Sequence, residues 1–143
     1  MKNSIQAEQV LNGGRARGPV LKLEEALSFW GAFDPGSGRI LDRLHPQAGL
    51  CIAGQVLVMP QSRGSAGTPA ALAEALRHKK GPAALVLRKA DVNLTMGAMV
   101  ADRLYGLETP VVVVSETDYE GLATGPMADI TAGGQIILAP IDP

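Results

Sequence analysis

The sequence predicts a mixed α/β protein in which a parallel βαβαβ unit follows an antiparallel β region. Between residues 55 and 115, short apolar segments rich in β-branched residues alternate with two longer segments whose apolar residues recur at helical spacing. Outside that part, short strand-like segments are separated by glycine-rich turns. The 143 residues contain no internal repeat and no linker, so we expect 1–143 to form a single domain.

The first part of the chain is predicted to consist of short strands and tight turns. The predicted elements are a strand at 5–11, a turn at 12–14, a strand at 17–23 and a short strand near 39–41. Segment 24–54 is rich in glycine and proline, which favours loops. Within it, the sequence Asp-Pro-Gly-Ser-Gly at 34–38 predicts a tight turn, because proline fixes φ and glycine tolerates positive φ.

The second part carries the α/β unit. The predicted elements are, in order, a strand at 55–60, a helix at 70–80, a strand at 83–89, a helix at 92–107, a strand at 109–115, and two tail strands at 127–131 and 135–138. The first helix is predicted to end near Gly81, because Lys79 and Lys80 form a basic last turn before that glycine. Strand–helix–strand connections of this kind give parallel strands.

Composition and charge argue against several classes of function. With 13 basic and 14 acidic residues the net charge is −1, so broad electrostatic attraction to nucleic acid or acidic lipid is not expected. One Trp, two Tyr and two Phe are too few for a platform that stacks single-stranded nucleic acid. No apolar run approaches the roughly 18 residues of a membrane span, and 1–12 lacks the features of a signal peptide. We therefore expect a soluble cytoplasmic protein.

The inventory of metal ligands is small. The one cysteine, Cys51, can form no intrachain disulfide and cannot hold zinc or an iron–sulfur cluster alone, since such sites need several thiolates. His45 and His78 lack metal-ligand spacing. We interpret Cys51, Met96 and Met99 as core residues, His45 as a loop residue and His78 as part of a solvated helix end. A metal would then have to be held by another chain.

Segment 61–68, which follows the first strand of the βαβ unit, is the candidate functional loop. Ligands of α/β sheets bind beyond the carboxyl ends of strands. The loop is rich in glycine and serine, with Thr68 as a predicted helix N-cap and Pro69 in the first turn. Its backbone N–H groups would suit a carboxylate, a phosphate or a developing oxyanion. The alternative is an ordinary connection, since neither Walker A, nor GxGxxG, nor GxSxG is present.

Three of the aromatic residues, Phe29, Trp30 and Phe33, lie within five positions of one another. This clustering admits two interpretations. The residues are either a satellite core cluster or the wall of a pocket or subunit interface, where Trp and Phe are enriched.

Five motifs follow one another along the chain: Ser-Phe-Trp-Gly at 28–31, the 34–38 turn, His-Pro at 45–46, the strand segment 54–60 and Ser-Arg-Gly-Ser at 62–65. In this order they resemble the small-subunit or swivelling-domain sequences of the aconitase X family. The resemblance continues through 97–98 and 110–113 and covers most of the chain. Ala32 and Ser62 depart from it where glycines are common, and Ala66 where a small polar residue is frequent.

The resemblance implies a layered β/β/α swivelling fold and a role as the small subunit of a heteromeric dehydratase. A large subunit would hold an iron–sulfur cluster whose iron acts as Lewis acid on the departing hydroxyl. Ser65 would be the base that removes the proton α to the substrate carboxylate. The neighbours of Ser65 expected to contact substrate are Ser62, Arg63, Gly64, Ala66, Gly67 and Thr68. Phe29, Trp30 and Phe33 would meet the partner, and no metal would bind this chain.

The substrate implied by the resemblance is either cis-3-hydroxy-L-proline or mevalonate 5-phosphate. A phosphate would favour several basic residues near the loop, whereas only Arg63 lies within it. The sequence therefore favours hydroxyproline. A third alternative is a module without catalysis that binds a small anion or serves as an interface.

Overall fold

A computed structural model describes residues 3–63 and 66–139. Within these ranges the strands are β1 (Ser4–Gln6), β2 (Gln9–Asn12), β3 (Ala16–Lys22), β4 (Phe33–Asp34), β5 (Arg39–Ile40), β6 (Val56–Met59), β7 (Ala84–Leu87), β8 (Val111–Val113), β9 (Met127–Ile130) and β10 (Gln135–Ala139). The helices are α1 (Thr68–Arg77), α2 (Val92–Tyr105) and α3 (Glu116–Gly121).

The main sheet joins an antiparallel half to a parallel half through β3. Its strand order is β1-β10-β9-β3-β6-β7-β8-β2. Strand β3 pairs antiparallel with β9 on one side and parallel with β6 on the other, and β6, β7 and β8 continue in parallel. Strands β4 and β5 form a separate antiparallel pair. The predicted parallel βαβαβ unit and the antiparallel region are both confirmed.

Side chains of the parallel strands alternate between two apolar cores, which produces three layers. In β6, Val56 and Val58 face a core shared with β1, β9 and β10. Leu57 and Met59 face a second core shared with α1 and α2. Each strand of the parallel half is thus buried on both faces, as its continuous apolar sequence indicates. The layers are β, β and α, as the resemblance implied.

Close contact between α1 and α2 depends on Gly97. A Cβ atom at this position would lie 2.9 Å from the Pro69 carbonyl oxygen and 3.0 Å from Leu72 Cβ. Only glycine lets the two backbones approach this closely without a shift.

The predicted strand at 5–11 is two strands, which was not expected. Strands β1 and β2 lie at opposite edges of the sheet order. Between them, Ala7 N–H donates to the Gly134 carbonyl at 2.9 Å and Glu8 N–H donates to the Val113 carbonyl at 2.8 Å. Through these two bonds the chain passes from its pairing with β10 to its pairing with β8. Because the partners are distant in sequence, residues 5–11 alone do not indicate the break between the two strands.

The end of α1 also differs from the prediction. The helix ends at Arg77, and Lys79 rather than a glycine adopts a positive φ of 60°. Gly81 is needed for another reason, since a Cβ atom there would lie 2.6 Å from Leu76 Cδ2. The glycine at position 81 is therefore explained by close packing against Leu76 and not by the end of the helix.

Helices α2 and α3 add two further corrections. The sequence did not predict α3, although Ser115 accepts a hydrogen bond from Asp118 N–H at 3.1 Å and caps it. Met96 and Met99, predicted to be core residues, are 50% and 41% exposed on the outer face of α2. No helix in the described ranges combines the length and the apolarity needed to cross a membrane.

Candidate active site

Residues 61–67, here called the candidate loop, leave the carboxyl end of β6. Strand β6 lies between β3 and β7 and runs parallel to both, so the segments that follow β3 and β7 flank the candidate loop. Gly64 and Ser65 lie outside the described residues. The role of Ser65 as base, and substrate contact by Gly64, therefore stay predictions.

Ser62 and Asp91 connect the candidate loop to the start of α2. Both the N–H and the hydroxyl of Ser62 donate to Asp91 Oδ2, at 2.8 and 2.6 Å. The other carboxylate oxygen, Oδ1, accepts from Leu94 N–H at 3.0 Å and caps α2. Ser62 is only 6% exposed, and hydrogen bonds of this length to a carboxylate are of the stronger, charge-assisted kind. The beginning of the candidate loop is thus held from the β7 side.

On the β3 side, the candidate loop is held through its backbone. Arg63 N–H donates to the carbonyl of Leu27 at 3.1 Å. Leu27 has no exposed surface and belongs to the core beneath the helices. The Arg63 side chain itself is exposed. A buried core residue thus holds the backbone of Arg63, while Arg63 itself stays exposed.

Trp30 covers the end of the candidate loop. A Cβ atom at Gly67 would lie 2.8 Å from Trp30 Cδ2, so the indole ring packs on the Gly67 backbone. Trp30 is nevertheless 62% exposed. One part of the Trp30 ring therefore contacts the candidate loop, and the rest is accessible to solvent.

The aromatic cluster divides into core and surface residues. Phe29 and Phe33 are 1% and 3% exposed, and their rings meet edge to face with centroids 5.2 Å apart. They belong to the core beneath the helices, as the first interpretation of the cluster held. With Trp30 they also line a cavity of about 420 Å³ beside α1. Because Phe29 and Phe33 are already covered by this chain, the predicted partner contact rests on Trp30.

The amino end of α1 follows the candidate loop directly. Thr68 is the first helical residue and Gly67 occupies the N-cap position, so the prediction of Thr68 as N-cap was wrong. Pro69 lies in the first turn, as predicted. The positive end of the helix dipole therefore faces the candidate loop.

Exposure separates the residues predicted to contact substrate. Arg63 and Ala66 are exposed. Ser62 is buried on Asp91, and Thr68 has no exposed surface. This placement favours a structural role for Ser62 and Thr68 over substrate contact. Sequence reasoning did not find Asp91, whose only signal was a possible N-cap before the apolar segment of α2.

His45 and Cys51 have structural surroundings. His45 is 4% exposed, accepts from Gln47 N–H at Nδ1 (3.0 Å) and lies 3.1 Å from the Glu25 carbonyl through Nε2. Cys51 is only partly buried, so its interpretation as a core residue was wrong; its sulfur lies 3.6 Å from the Ser37 carbonyl oxygen. His45 is therefore a loop residue, as predicted, and both of its ring nitrogens lie within hydrogen-bond distance of backbone atoms.

The residues of this chain do not fit an iron–sulfur cluster. Within 3–63 and 66–139 there is no group of three or more His, Cys, Asp or Glu side chains that could hold a metal ion. The single thiol of the chain is also too few for a cluster. A cluster on a large subunit stays a prediction about that partner.

Comparison with known proteins identifies relatives over most of the chain. The family model described as the aconitase X swivel domain matches residues 4–139. The cis-3-hydroxy-L-proline dehydratase of Hypocrea jecorina is 36% identical over 120 residues, which is 84% of this chain and 20% of that protein. The phosphomevalonate dehydratase small subunit of Methanothermobacter thermautotrophicus is 38% identical over 93 residues, covering 65% of this chain and 71% of that one.

A solved structure agrees with the family match. The crystal structure of Thermococcus kodakaraensis aconitase X (holo-form) superposes with a TM-score of 0.83 and 27% identity, covering 96% of this chain and 99% of that chain. This chain spans about a fifth of the length of the hydroxyproline dehydratases that it matches. The resemblance of the motifs and the layered fold are both confirmed, and the chain belongs to the aconitase X swivel domain family.

Proposed function

We propose that this chain is the small subunit of a heteromeric dehydratase acting on a hydroxy acid, and that Ser65 is its catalytic base. The observation that carries the proposal is the candidate loop. Its first described residues follow the carboxyl end of β6, where Ser62 is held by Asp91 and Arg63 by Leu27, and the loop precedes the positive end of α1. Fixed residues beside a catalytic group support its placement at one defined position relative to a substrate proton.

The proposed reaction is the elimination of water from adjacent carbons. The Cα–H and Cβ–OH bonds break, a carbon–carbon double bond forms between them, and the hydroxyl departs. The Ser65 oxygen, as alkoxide, takes the α proton and returns it to solvent before the next turnover. Departure of the hydroxyl is assigned to the large subunit.

Serine is a weak base, so its alkoxide needs positive potential. Two features of this chain would supply it: the amino end of α1 and the positive charge of Arg63, an exposed residue of the candidate loop. Water exclusion by the large subunit would strengthen each of these interactions. We assign the contact with that subunit to Trp30, whose ring is exposed beside the candidate loop.

We propose cis-3-hydroxy-L-proline as the substrate. The hydroxyproline dehydratases match this chain over 120 and 125 residues at 36% and 37% identity, whereas two phosphomevalonate dehydratase small subunits that match it over 118 residues are 33% and 30% identical. The Arg63 side chain is the only basic group within the candidate loop. A carboxylate and a secondary amine need fewer cations than a phosphate monoester does.

Mevalonate 5-phosphate is the second candidate, favoured by two basic residues after β7. The backbone N–H groups of Arg88 and Lys89 donate to the Pro60 carbonyl, at 3.2 and 3.1 Å. This pairing brings two cationic residues to the base of the candidate loop. Arg88 is partly engaged by Glu116, at 3.6 Å, which leaves Lys89 as the better candidate for a phosphate contact.

The test is turnover by the assembled complex. This chain would be produced with its large subunit under anaerobic conditions and assayed with both substrates, with assembly followed by size exclusion. We expect turnover of hydroxyproline, and loss of that turnover in Ser65→Ala on an intact complex. Turnover of mevalonate 5-phosphate alone would establish the second candidate. An intact complex that retains its turnover in Ser65→Ala would leave this chain as a binding or interface module.

A further inference from the structure

The Asp91 carboxylate has two separate tasks, one for each oxygen. Oδ1 accepts from Leu94 N–H at 3.0 Å, which satisfies the first turn of α2. Oδ2 accepts both the N–H and the hydroxyl of Ser62, at 2.8 and 2.6 Å. The second task is not needed for the helix, because one oxygen is enough to cap it.

The cap of α3 illustrates what a helix alone requires. There, Ser115 follows β8 at the same edge of the sheet and caps α3 with a single hydroxyl, which accepts from Asp118 N–H at 3.1 Å. The two caps lie at the ends of neighbouring parallel strands. At the β7 position the chain instead carries a carboxylate, and its additional oxygen binds the candidate loop.

We propose that Asp91 is a positioning residue that sets the location of Ser65 by holding Ser62. This inference rests on the proposed function, since it assigns Asp91 to the reaction that Ser65 would perform. Ser62 precedes Ser65 by three positions, and at Ser62 a side chain from outside the candidate loop holds the loop by hydrogen bonds. At the next residue, the hydrogen bond from Arg63 N–H to Leu27 uses backbone atoms on both sides.

Loss of Oδ2 would release the candidate loop at a buried point. Ser62 is 6% exposed, so its N–H and hydroxyl would lack an acceptor unless the loop moved toward water. A catalytic group displaced by about 1 Å can lose on the order of a hundredfold in rate. The expected consequence is a lower kcat without loss of folding.

Asp91→Asn separates the two tasks. The amide keeps one oxygen that can cap α2, but its NH₂ group donates and cannot accept from Ser62. In the assembled complex we expect kcat to fall by about tenfold to a hundredfold, with KM changed by less than about threefold. Melting temperature and assembly should stay close to wild type. The control is Ser115→Ala, which removes a helix cap without contact to the candidate loop and should retain wild-type kcat.

A double-mutant cycle tests whether Asp91 acts through Ser62. Ser62→Ala removes the hydroxyl and leaves the N–H bond, so we expect a smaller fall in kcat than in Asp91→Asn. The double variant should be no slower than Asp91→Asn, because both changes remove the same contact. Fully additive losses would overturn the proposed route. If Asp91→Asn fails to fold, the Ser62→Ala variant alone tests the inference. A wild-type kcat in Ser62→Ala overturns the positioning role of Asp91, and a severalfold loss of kcat at unchanged melting temperature supports it.

Ser65→Ala in the same assay keeps the two proposals distinguishable. Loss of turnover in Ser65→Ala with wild-type kcat in Asp91→Asn would overturn the positioning role and leave the proposed function intact. Wild-type turnover in Ser65→Ala would overturn the proposed function, and the positioning role with it.

Discussion

The 34–38 turn and the candidate loop are both rich in glycine and serine, yet they are held in different ways. Within the turn, Asp34 holds its own neighbours. It accepts from Gly36 N–H at 3.0 Å and the Ser37 hydroxyl at 2.7 Å through its carboxylate, and from Gly38 N–H at 2.8 Å through its carbonyl. The candidate loop is held instead by Asp91, Leu27 and Trp30, which come from two other segments of the chain.

This difference predicts which property of the protein a mutation in each region should change. The 34–38 turn is closed by contacts between neighbouring residues, so its changes should alter stability and leave chemistry alone. The candidate loop takes its position from the segments after β3 and β7, so a change in either segment should alter assembly or turnover. Substitutions in the 34–38 turn and in the candidate loop should therefore differ in which property they change.

Among changes at residues other than Ser65, the largest expected effect is on assembly, in Trp30→Ala. Truncation of an exposed tryptophan at the centre of an interface costs about 2–4 kcal/mol, or roughly thirtyfold to a thousandfold in Kd. We expect that loss in the affinity for the large subunit, measured by titration of the two subunits. Tyr105→Ala is the matched control, since Tyr105 is 44% exposed at the far end of α2. Equal losses in both variants would contradict the assignment of the interface to Trp30.

Gly38→Ala should lower stability without changing turnover. Gly38 has a φ of +77°, and a Cβ atom there would lie 2.9 Å from the Lys80 carbonyl oxygen. A strained backbone of this kind costs about 1–3 kcal/mol, measurable by denaturant unfolding. We expect kcat per assembled complex to stay at the wild-type value. A lower kcat would mean that the 34–38 turn also serves the reaction.

Gly67→Ala should show the opposite behaviour at a smaller scale. The added methyl group would meet the Trp30 ring at 2.8 Å, and that exposed ring can move aside at little cost in stability. Movement of the ring should weaken assembly by a factor of about three to ten, within the range of ordinary interface contacts. An unchanged free energy of unfolding with weaker assembly is expected. A loss of stability equal to that of Gly38→Ala would break the comparison.

The smallest expected effect is a change in the titration of Asp34. Hydrogen bonds from the Ser37 hydroxyl, and then from Gly36 N–H, lower the pKa of this carboxyl below its ordinary value. A lowered folded-state pKa contributes stability that is present above the ordinary value of 3.8 and is lost as the pH falls through the folded-state pKa. Ser37→Ala should therefore raise the pKa of Asp34, which an NMR titration measures. An unchanged pKa would contradict the local closure of the turn.

What sequence reasoning could predict follows the same division. The continuous apolar sequence of β6 and the helical spacing of α1 are local signals, and so is the 34–38 turn; all three were predicted. The split of 5–11 depends on Gly134 and Val113, which only the folded sheet brings near. The strand boundary was missed because the hydrogen-bond partners that set it are far from 5–11 along the chain.

Within the candidate site, the loop could be located from sequence but its support could not. Ser62 resembles any other small polar loop residue until the sheet brings Asp91 beside it. Met96 and Met99 are exposed although they are apolar, because apolar residues occur on both the buried and the exposed face of α2. The missed helix α3 is a different case, since Ser115 and Asp118 have the spacing of a capped helix start.

Release of the α proton tests the central claim most directly. The measurement is the loss of deuterium from Cα-labelled cis-3-hydroxy-L-proline by assembled complexes carrying wild-type, Ser65→Ala or Ser37→Ala chains. The two variants make the same substitution, one in the candidate loop and one in the 34–38 turn. We expect Ser65→Ala to slow release by about 10²–10⁴, the usual contribution of a general base, and Ser37→Ala to match wild type. Release at the wild-type rate by Ser65→Ala would contradict the account.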